Sequence, residues 1–290
     1  MKVIVTGAGG LVGRATVSAF AARGDSVIGL NHNALDISDE SAVREKIDSA
    51  SPEVVINCAA WTDVDGCESD QEHALRANAR GPELLALACR RAGALLITVS
   101  TDYVFDGRKD GFYTQRDQPN PLSVYGRSKL DGERRAQIAW ARTIVVRSGY
   151  IFGDGGTNFL STFIEGARSG ARLKVIDDMF GTPTYAPHLA ERFCQLATID
   201  LPGLYHVVNA GEGVSFAQFV ESAYGLMGLD YTAVESVSTD SLVRPAPRPR
   251  NSRLRCLMSE AIGLNEMPHW LDALRQHVAQ SARTSRSQAT

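Results

Sequence analysis

The sequence predicts an α/β protein whose core is a doubly wound parallel sheet, accompanied by a smaller C-terminal lobe. Short apolar segments at residues 3–5, 26–30, 53–58 and 94–100 alternate with helical segments, which is typical of repeated strand–helix units. A glycine-rich turn directly follows the first of these segments. A chain of 290 residues with 44% apolar content is long enough to bury the core of such a fold.

Composition and charge limit the kinds of molecule that this protein is expected to bind and the compartment in which we expect it. The chain has 30 basic and 33 acidic side chains and a formal charge of −3, which argues against nucleic acid or an anionic membrane as the main partner. Its five cysteines are widely spaced without a Cys-x-x-Cys pair, so we expect reduced thiols rather than disulfides or a zinc site. No apolar run is long enough to span a membrane, and the first strand begins too early to leave room for a signal peptide. We therefore expect a cytoplasmic protein.

The turn after the first strand is the first candidate site. Residues 6–13 read Thr-Gly-Ala-Gly-Gly-Leu-Val-Gly, with Gly7, Gly10 and Gly13 at the spacing that allows a tight turn and close approach of a phosphate. A helix is expected over residues 11–23, and the N–H groups of its first turn form a natural pyrophosphate site. Alone the motif is also compatible with a structural turn. Its place between a first strand and an amphipathic helix favours dinucleotide binding, as in Rossmann domains.

The end of the second strand bears on the choice of nicotinamide cofactor. Asn31, His32 and Asn33 stand where an acidic residue would bind the adenosine ribose, so no carboxylate repels a 2′-phosphate there. We expect NADPH or NADH to bind, with NADPH modestly preferred. Arg14 either assists or lies on a solvated helix face. Asp36, with Ile37 beside it, either flanks the adenine or only caps the helix that starts near residue 39.

Four segments are expected to meet at one edge of the sheet. Residues 6–13, 57–62, 100–101 and 147–150 each follow an apolar strand, and the carboxyl ends of parallel strands lie together. The small side chains of Ala59 and Ala60 suit a surface on which a nucleotide lies. A single helix is expected between them and the fourth strand, over about residues 72–92.

A tyrosine and a lysine on the next predicted helix supply candidate chemistry. Tyr125 and Lys129 are four residues apart and so fall on one helix face. An ammonium beside a phenol favours the phenolate and lowers its pKa, which suits the tyrosine to acid–base work on a carbonyl. Thr101 is placed to hydrogen-bond the same oxygen. A Tyr-x-x-x-Lys pair alone is more typical of a solvated helix face; its expected place at the cofactor edge favours the catalytic interpretation.

Several strings resemble one known family. They are Ser-Thr-Asp-Tyr-Val-Phe-Asp-Gly at 100–107 and Asn-Pro-Leu-Ser-Val-Tyr-Gly-Arg-Ser-Lys-Leu at 120–130, with further matches at 6–13, 57–65, 203–206 and 248–252. Together they resemble the extended short-chain dehydrogenase/reductases and, more narrowly, the dTDP-4-dehydrorhamnose reductases. The resemblance covers the chain to about residue 255.

The resemblance implies roles for individual residues. Tyr125 would donate a proton to the sugar C4 oxygen, Lys129 would hold the nicotinamide ribose, and Thr101 would bind the same oxygen as Tyr125. The implied cofactor-binding residues are Gly7, Gly10, Leu11, Val12, Gly13, Asn31, Asp36, Ile37, Ala59, Ala60, Trp61, Thr62, Val99, Tyr125 and Lys129. The implied substrate-binding residues are Val64, Thr101, Asp102, Tyr150, Asn158 and Arg248. Some relatives bind magnesium through a glutamate where this chain has Ala15, so no metal is expected.

The chain also departs from the family pattern. Ser148, Gly149 and Tyr150 stand where family members commonly have Thr-Ser-Trp, and Arg255 replaces a polar or acidic residue. The alternative for Trp61 and Tyr150 is ordinary aromatic packing. Residues 244–250 alternate arginine and proline, and they either meet a substrate diphosphate or form an exposed polyproline segment.

The implied function is reduction of the C4 keto group of a nucleotide-linked 4-keto-6-deoxy sugar, most simply dTDP-4-dehydrorhamnose to dTDP-L-rhamnose. The alternatives are a 4-ketoreductase for another deoxysugar, a nucleotide-sugar epimerase, and a non-catalytic NADP-binding regulatory subunit. The expected partner is the small-molecule substrate, with a possible homodimer.

The chain is expected to divide into two lobes and a tail. We expect residues 1–152 and about 186–210 to form the cofactor domain, about 153–185 and 211–280 the substrate-binding lobe, and 281–290 a disordered tail.

Overall fold

The computed structural model describes residues 1–156 and 158–287. Its strands are β1 Lys2–Thr6, β2 Ser26–Leu30, β3 Val54–Asn57, β4 Leu95–Thr101, β5 Thr143–Ser148, β6 Ile151–Phe152, β7 Leu173–Ile176, β8 Phe180–Gly181, β9 Thr184–Tyr185, β10 Gly203–His206, β11 Val214–Ser215 and β12 Val234–Val237. Its α-helices are α1 Leu11–Ala22, α2 Glu40–Ala50, α3 Val64–Ser69, α4 Gln71–Leu75, α5 Gly81–Ala92, α6 Val124–Ala139, α7 Phe159–Arg168, α8 Ala186–Ile199, α9 Phe216–Met227, α10 Met258–Ala261 and α11 Trp270–Ser287.

Six strands form the main sheet in the order β10-β5-β4-β3-β1-β2, and every pair in it is parallel. The strand order turns outward from β1 in both directions, so the predicted doubly wound α/β fold is confirmed. β10 is an edge strand of this sheet although it follows the smaller lobe's first elements in sequence. The carboxyl ends of β1, β3, β4 and β5 therefore lie side by side, as the sequence predicted.

Alternate residues of the central strands face opposite hydrophobic layers. On one face, Val5, Ile56 and Val146 pack with Phe20 of α1 and Phe193 of α8. On the other face, neighbouring strand residues pack against α2 and α5; the buried residues there include Ile4, Val55, Leu96, Ile47 and Leu85. Because both faces are covered, the strands read as nearly continuous apolar runs.

The smaller lobe is built around α7, α9 and α11. Its three two-stranded sheets pair β6 with β9, β7 with β12, and β8 with β11. Phe152, Phe219 and Trp270 belong to one of its buried clusters, and Phe163 and Tyr224 belong to a second. The proposed lobe boundaries stay a prediction.

Two sequence expectations need correction. The helix expected over about 72–92 is divided by a π-helical turn, Arg76–Arg80, between α4 and α5. The tail was expected to be disordered from residue 281, but α11 continues as far as Ser287. Residues 288–290 lie outside the described residues. None of the helices in the described ranges has the length and apolar character needed to cross a bilayer.

Candidate active site

Two adjoining cavities lie at the carboxyl edge of the sheet. One has a volume of about 550 Å³ and the other about 640 Å³, and Gly10, Cys58 and Ala60 line both. Every predicted site residue except Arg248 lines at least one of them. The structure thus brings together residues that are up to about half the chain apart in sequence.

The glycine-rich turn is shaped for a ligand that approaches the backbone closely. Gly7 has φ +65°, and a Cβ there would lie 2.6 Å from the Ala59 amide nitrogen. A Cβ on Gly13 would lie 2.1 Å from the Gly7 carbonyl oxygen, so the turn packs tightly against α1. Gly10 precedes α1 without a side-chain cap, so the first N–H groups of the helix remain for a ligand. This cradle fits the pyrophosphate of a dinucleotide.

The second cavity suits the adenosine end of that cofactor. Asn31, Asp36 and Ile37 line it. The Asp36 carboxylate accepts hydrogen bonds from the Ser38 amide at 2.9 Å and the Ser38 hydroxyl at 2.8 Å, which lower its pKa. Asp39, not Asp36, caps α2 by accepting from the amides of residues 41 and 42. The alternative role for Asp36 as that helix cap is therefore removed.

Helix α6 carries the candidate catalytic pair. It begins after Ser123, whose hydroxyl accepts a hydrogen bond from the Gly126 amide at 3.1 Å. Tyr125 and Lys129 are both buried and both line the first cavity. The Lys129 ammonium donates to the carbonyl oxygen of Val99 at 2.7 Å, which ties the helix to β4. Thr101, the last residue of β4, lines the same cavity.

Burial dominates the electrostatics of this pair. It raises the pKa of Tyr125 well above its ordinary value, and the hydrogen bond with Thr101 only partly opposes this. In the protein alone burial thus outweighs the groups that lower the tyrosine's pKa, of which Thr101 is the largest, and the expected effect of Lys129 stays a prediction. Burial lowers the pKa of Lys129 to about 8, against the attraction of Glu133. At pH 7 the phenol keeps its proton and the lysine remains mostly charged.

A buried ion pair supports the catalytic elements from behind. Arg147 of β5 contacts Glu133 of α6 through two bonds, Nε to Oε1 at 2.8 Å and Nη2 to Oε2 at 2.6 Å. The two side chains are only 4% and 5% exposed. Ser100 also donates to Glu133. Glu133 went unrecognised in the sequence, although its spacing of four from Lys129 places it on the same helix face.

Asn78 is a second residue that the sequence interpretation missed. It lies on the π-helical turn, accepts from the Trp61 amide at 2.8 Å and donates to the Trp61 carbonyl at 2.9 Å. Its amide also donates to the Ser128 hydroxyl at 3.1 Å, and Ser128 donates to the Tyr125 carbonyl at 2.9 Å. The cofactor-side loop and the catalytic helix are thus linked through one amide side chain.

The substrate side of the first cavity includes Tyr150 and Asp102. Tyr150 has φ +52°, a left-handed conformation rare for an aromatic residue, and its ring centroid lies 4.0 Å from that of Phe216. Its hydroxyl is buried without a hydrogen-bond partner among the described residues. The protein itself therefore occupies much of the ring surface that was expected to stack on the substrate. Burial raises the pKa of Asp102 to about 6.

Asn158 and Arg248 have structural partners. Asn158 caps α7, accepting from the Ser161 amide at 3.2 Å and donating to the Gly153 carbonyl at 3.0 Å, while it also lines the first cavity. Arg248 lines neither cavity. It forms a two-point ion pair with Asp65 of α3, with Nη1–Oδ1 at 3.0 Å and Nη2–Oδ2 at 2.8 Å.

The comparison with protein families agrees with this geometry. The model of the RmlD substrate binding domain matches residues 1–283, nearly the whole chain. The chain belongs to this RmlD family. The resemblance inferred from the sequence strings is confirmed, and so is the fold class.

Relatives of the RmlD family match along most of their length. The chain is 38% identical over 279 residues to the dTDP-4-dehydrorhamnose reductase of Streptomyces griseus, covering 94% of this chain and 91% of that one. It is 35% identical over 280 residues to a probable dTDP-4,6-dihydroxy-2-methyloxan-3-one 4-ketoreductase of Streptomyces antibioticus, covering 95% and 94%.

A solved structure bears on the cofactor. The crystal structure of dTDP-4-dehydrorhamnose reductase from Bacillus anthracis strain Ames in complex with NADP superposes with a TM-score of 0.93 at 31% identity. The match covers 97% of this chain and 100% of that one. An RmlD-family protein of nearly the same backbone thus holds the class of cofactor that the glycine-rich cradle fits.

Proposed function

We propose that this protein is an NAD(P)H-dependent reductase of the C4 keto group of a nucleotide-linked 4-keto-6-deoxy sugar, most simply dTDP-4-dehydrorhamnose. The observation that carries the proposal is that Tyr125, Thr101 and Lys129 line one cavity, which adjoins a dinucleotide cradle. Relatives that carry the name dTDP-4-dehydrorhamnose reductase support the choice of substrate.

Three residues of the first cavity have separate roles in the reaction. When bound, NADPH supplies the hydride that reduces the carbonyl carbon. Tyr125 donates the proton to the carbonyl oxygen, and its raised pKa keeps that proton on the phenol until the oxygen becomes basic. Thr101 supports the negative charge that develops on the oxygen. Lys129 holds the nicotinamide ribose with its ammonium.

NADPH and NADH are both proposed as usable cofactors, with NADPH modestly preferred. The support is that Asn31 lines the adenosine cavity where an acidic side chain would disfavour a 2′-phosphate. The proposal also includes a cytoplasmic location, a possible homodimer, and neither nucleic acid nor a membrane as a partner. The net charge of −3 favours that last point.

A second candidate is a 4-ketoreductase acting on a different deoxysugar. Tyr150 favours it, because a tyrosine whose buried hydroxyl has no partner among residues 1–156 and 158–287 shapes the sugar side of the cavity differently from a tryptophan. The Streptomyces antibioticus relative, named a probable 4-ketoreductase, shows that the family's names extend beyond rhamnose.

The test is to follow the absorbance of the reduced nicotinamide while the protein is given a panel of dTDP-4-keto sugars. We expect rapid oxidation of NADPH with dTDP-4-dehydrorhamnose and formation of the C4 alcohol. Faster turnover of another ketosugar would favour the second candidate. Conversion of a sugar nucleotide into its epimer without net NADPH consumption would indicate an epimerase. Tight NADPH binding with no turnover on any sugar would indicate a regulatory subunit.

A further inference from the structure

A third cavity lies apart from the active site. It has a volume of about 440 Å³ and forms where α8 and the end of β10 meet residues 254–267. Of the residues that the structure describes, none lines both this cavity and either cavity of the active site. Cys256 and Arg192 both line it. A molecule bound here would therefore contact neither the cofactor site nor the catalytic residues.

The sulfur of Cys256 is held at the wall of this cavity. The side-chain amide of Gln115 donates to Sγ at 3.0 Å, and its Oε1 accepts from the Leu257 amide at 3.0 Å. Because a backbone N–H can only donate, the second bond directs Oε1 to Leu257 and Nε2 to the sulfur. Cys256 is partly exposed. The thiol is thus accessible and has a hydrogen-bond donor that favours its thiolate.

Arg192 places a buried positive charge in the same cavity. It is only 6% exposed, and its Nη2 donates to the carbonyl oxygen of Asn265, which also lines the cavity. Within residues 1–156 and 158–287 its guanidinium forms no ion pair with a carboxylate. A buried cation without a carboxylate partner is costly, so a negatively charged ligand in the cavity would be stabilised by it.

Cys256 differs from the other cysteines in its acidity. Burial alone would raise the pKa of its thiol, but hydrogen bonding by Ser259, the His206 backbone and Gln115 outweighs burial and lowers that pKa. Burial raises the pKa of the other four thiols, namely those of Cys58, Cys67, Cys89 and Cys194. Since the thiolate is the nucleophile, Cys256 is the cysteine that should react first.

We propose that Cys256 forms a mixed disulfide with a small thiol of the glutathione class, and that Arg192 binds a carboxylate of this thiol. The Cys256 sulfur attacks one sulfur of the small-molecule disulfide, a new S–S bond forms, the original S–S bond breaks, and the second sulfur leaves as a thiolate. Cys256 is oxidised and the leaving half is reduced, so the small disulfide is the oxidant. Glu212 and Glu260 are exposed carboxylates that line the same cavity and suit the ammonium group of such a thiol.

The experiment treats the reduced protein with glutathione disulfide and, separately, with the uncharged bis(2-hydroxyethyl) disulfide. Mass spectrometry with peptide mapping follows the adduct, which we expect at Cys256 first and not in Cys256→Ser. Arg192→Gln should slow the reaction with glutathione disulfide about 10-fold more than the reaction with the uncharged reagent, since hydrogen bonds between charged groups are worth that much. The comparison of reagents isolates recognition, because a change in the thiol's pKa affects both reactions equally.

Arg275→Gln is the matched control, because it removes an arginine from an exposed pair with Asp272 and should leave both rates within twofold of the wild type. Arg192→Lys keeps the charge and should retain part of the preference for glutathione disulfide. A test without a variant uses S-methylglutathione, which cannot form a disulfide and should protect Cys256 from alkylation by iodoacetamide.

Three results would overturn the proposal. The first is that another cysteine of the folded protein reacts before Cys256, or that no adduct forms. The second is that Arg192→Gln slows both reagents equally, which would leave Cys256 a reactive thiol without a site for the small molecule. The third is that S-methylglutathione gives no protection.

Discussion

The two sides of the active-site cavity satisfy their polar groups differently. On the catalytic side, formed by Thr101, Tyr125 and Lys129, the Thr101 hydroxyl donates to the Asp102 carboxylate and Lys129 donates to the backbone of β4. A buried ion pair lies behind them. On the substrate side, the hydroxyls of Ser148 and Tyr150 are buried without a partner in the described part of the chain. Tyr150 also adopts a left-handed backbone conformation.

This difference distinguishes the catalytic residues, which the chain shares with its family, from the substrate-side residues, which differ. Groups that move protons must be held in place, and regular elements with hydrogen bonds to the backbone and to neighbouring side chains achieve this before a ligand arrives. Groups that recognise a particular sugar tolerate strain and unmade bonds, which a ligand can later supply. The catalytic side matches the family's strings, whereas Tyr150 and its two preceding residues depart from them.

The largest effect is expected from Tyr125→Phe on the catalytic side. The change removes the proton donor but keeps the ring, so we expect ketosugar reduction to fall by about 10²–10⁴ while folding and NADPH binding persist. Single-turnover kinetics with NADPH measures the chemical step directly. Thr101→Val should cost less, about 10²–10³, and the double variant should lose less than the product of the two. Normal turnover by Tyr125→Phe would place the proton donor elsewhere.

The second prediction tests whether the scaffold behind this side is fixed. Arg147→Met leaves the buried Glu133 carboxylate without its cationic partner, and we expect a loss of about 3–5 kcal/mol in the free energy of unfolding, measured in urea. Arg135→Met is the control, because Arg135 lies on the same helix in an exposed pair with Asp131 and should cost about 1 kcal/mol or less. Adding Glu133→Leu to Arg147→Met should restore part of the loss. Equal losses in the two single variants would argue against a special role for the buried pair.

The third prediction concerns pH and Lys129. Its lowered pKa of about 8 means that the ammonium is lost as the pH rises through that value, so we expect turnover to decline there.

The contribution of Lys129 to stability should change in the opposite direction and increase over the same pH range. Between about pH 8 and 10.5 the unfolded chain holds more protons at this lysine than the folded protein, so its contribution to the free energy of unfolding rises with pH. Urea unfolding across that range checks this, and Lys129→Met should lack the rise. Turnover constant to about pH 10 would contradict the lowered pKa.

The sequence predicted the catalytic side better than the substrate side for a physical reason. Thr101, Tyr125 and Lys129 follow from local rules, namely the end of a strand and a spacing of four on a helix. The bond between Asn78 and Ser128 and the pair of Asp65 and Arg248 join residues 50 and 183 positions apart, and no local pattern encodes them. The altered pKa of Tyr125 likewise depends on burial, which follows from packing as a whole.

The smallest effect is expected from Tyr150→Phe, and it tests the substrate side. A buried hydroxyl without a partner contributes no hydrogen bond to the folded state, so its removal should leave the free energy of unfolding unchanged or raise it by up to about 1 kcal/mol. Tyr224→Phe is the control, because that hydroxyl donates to the Phe163 carbonyl at 2.7 Å and its loss should cost about 1 kcal/mol. Thermal unfolding of both variants gives the comparison. If the Tyr150 hydroxyl instead binds the sugar, KM for the ketosugar should rise in Tyr150→Phe while NADPH affinity stays constant. Equal destabilisation by the two changes would show that the Tyr150 hydroxyl has a partner in solution, and the contrast between the two sides of the cavity would then fail.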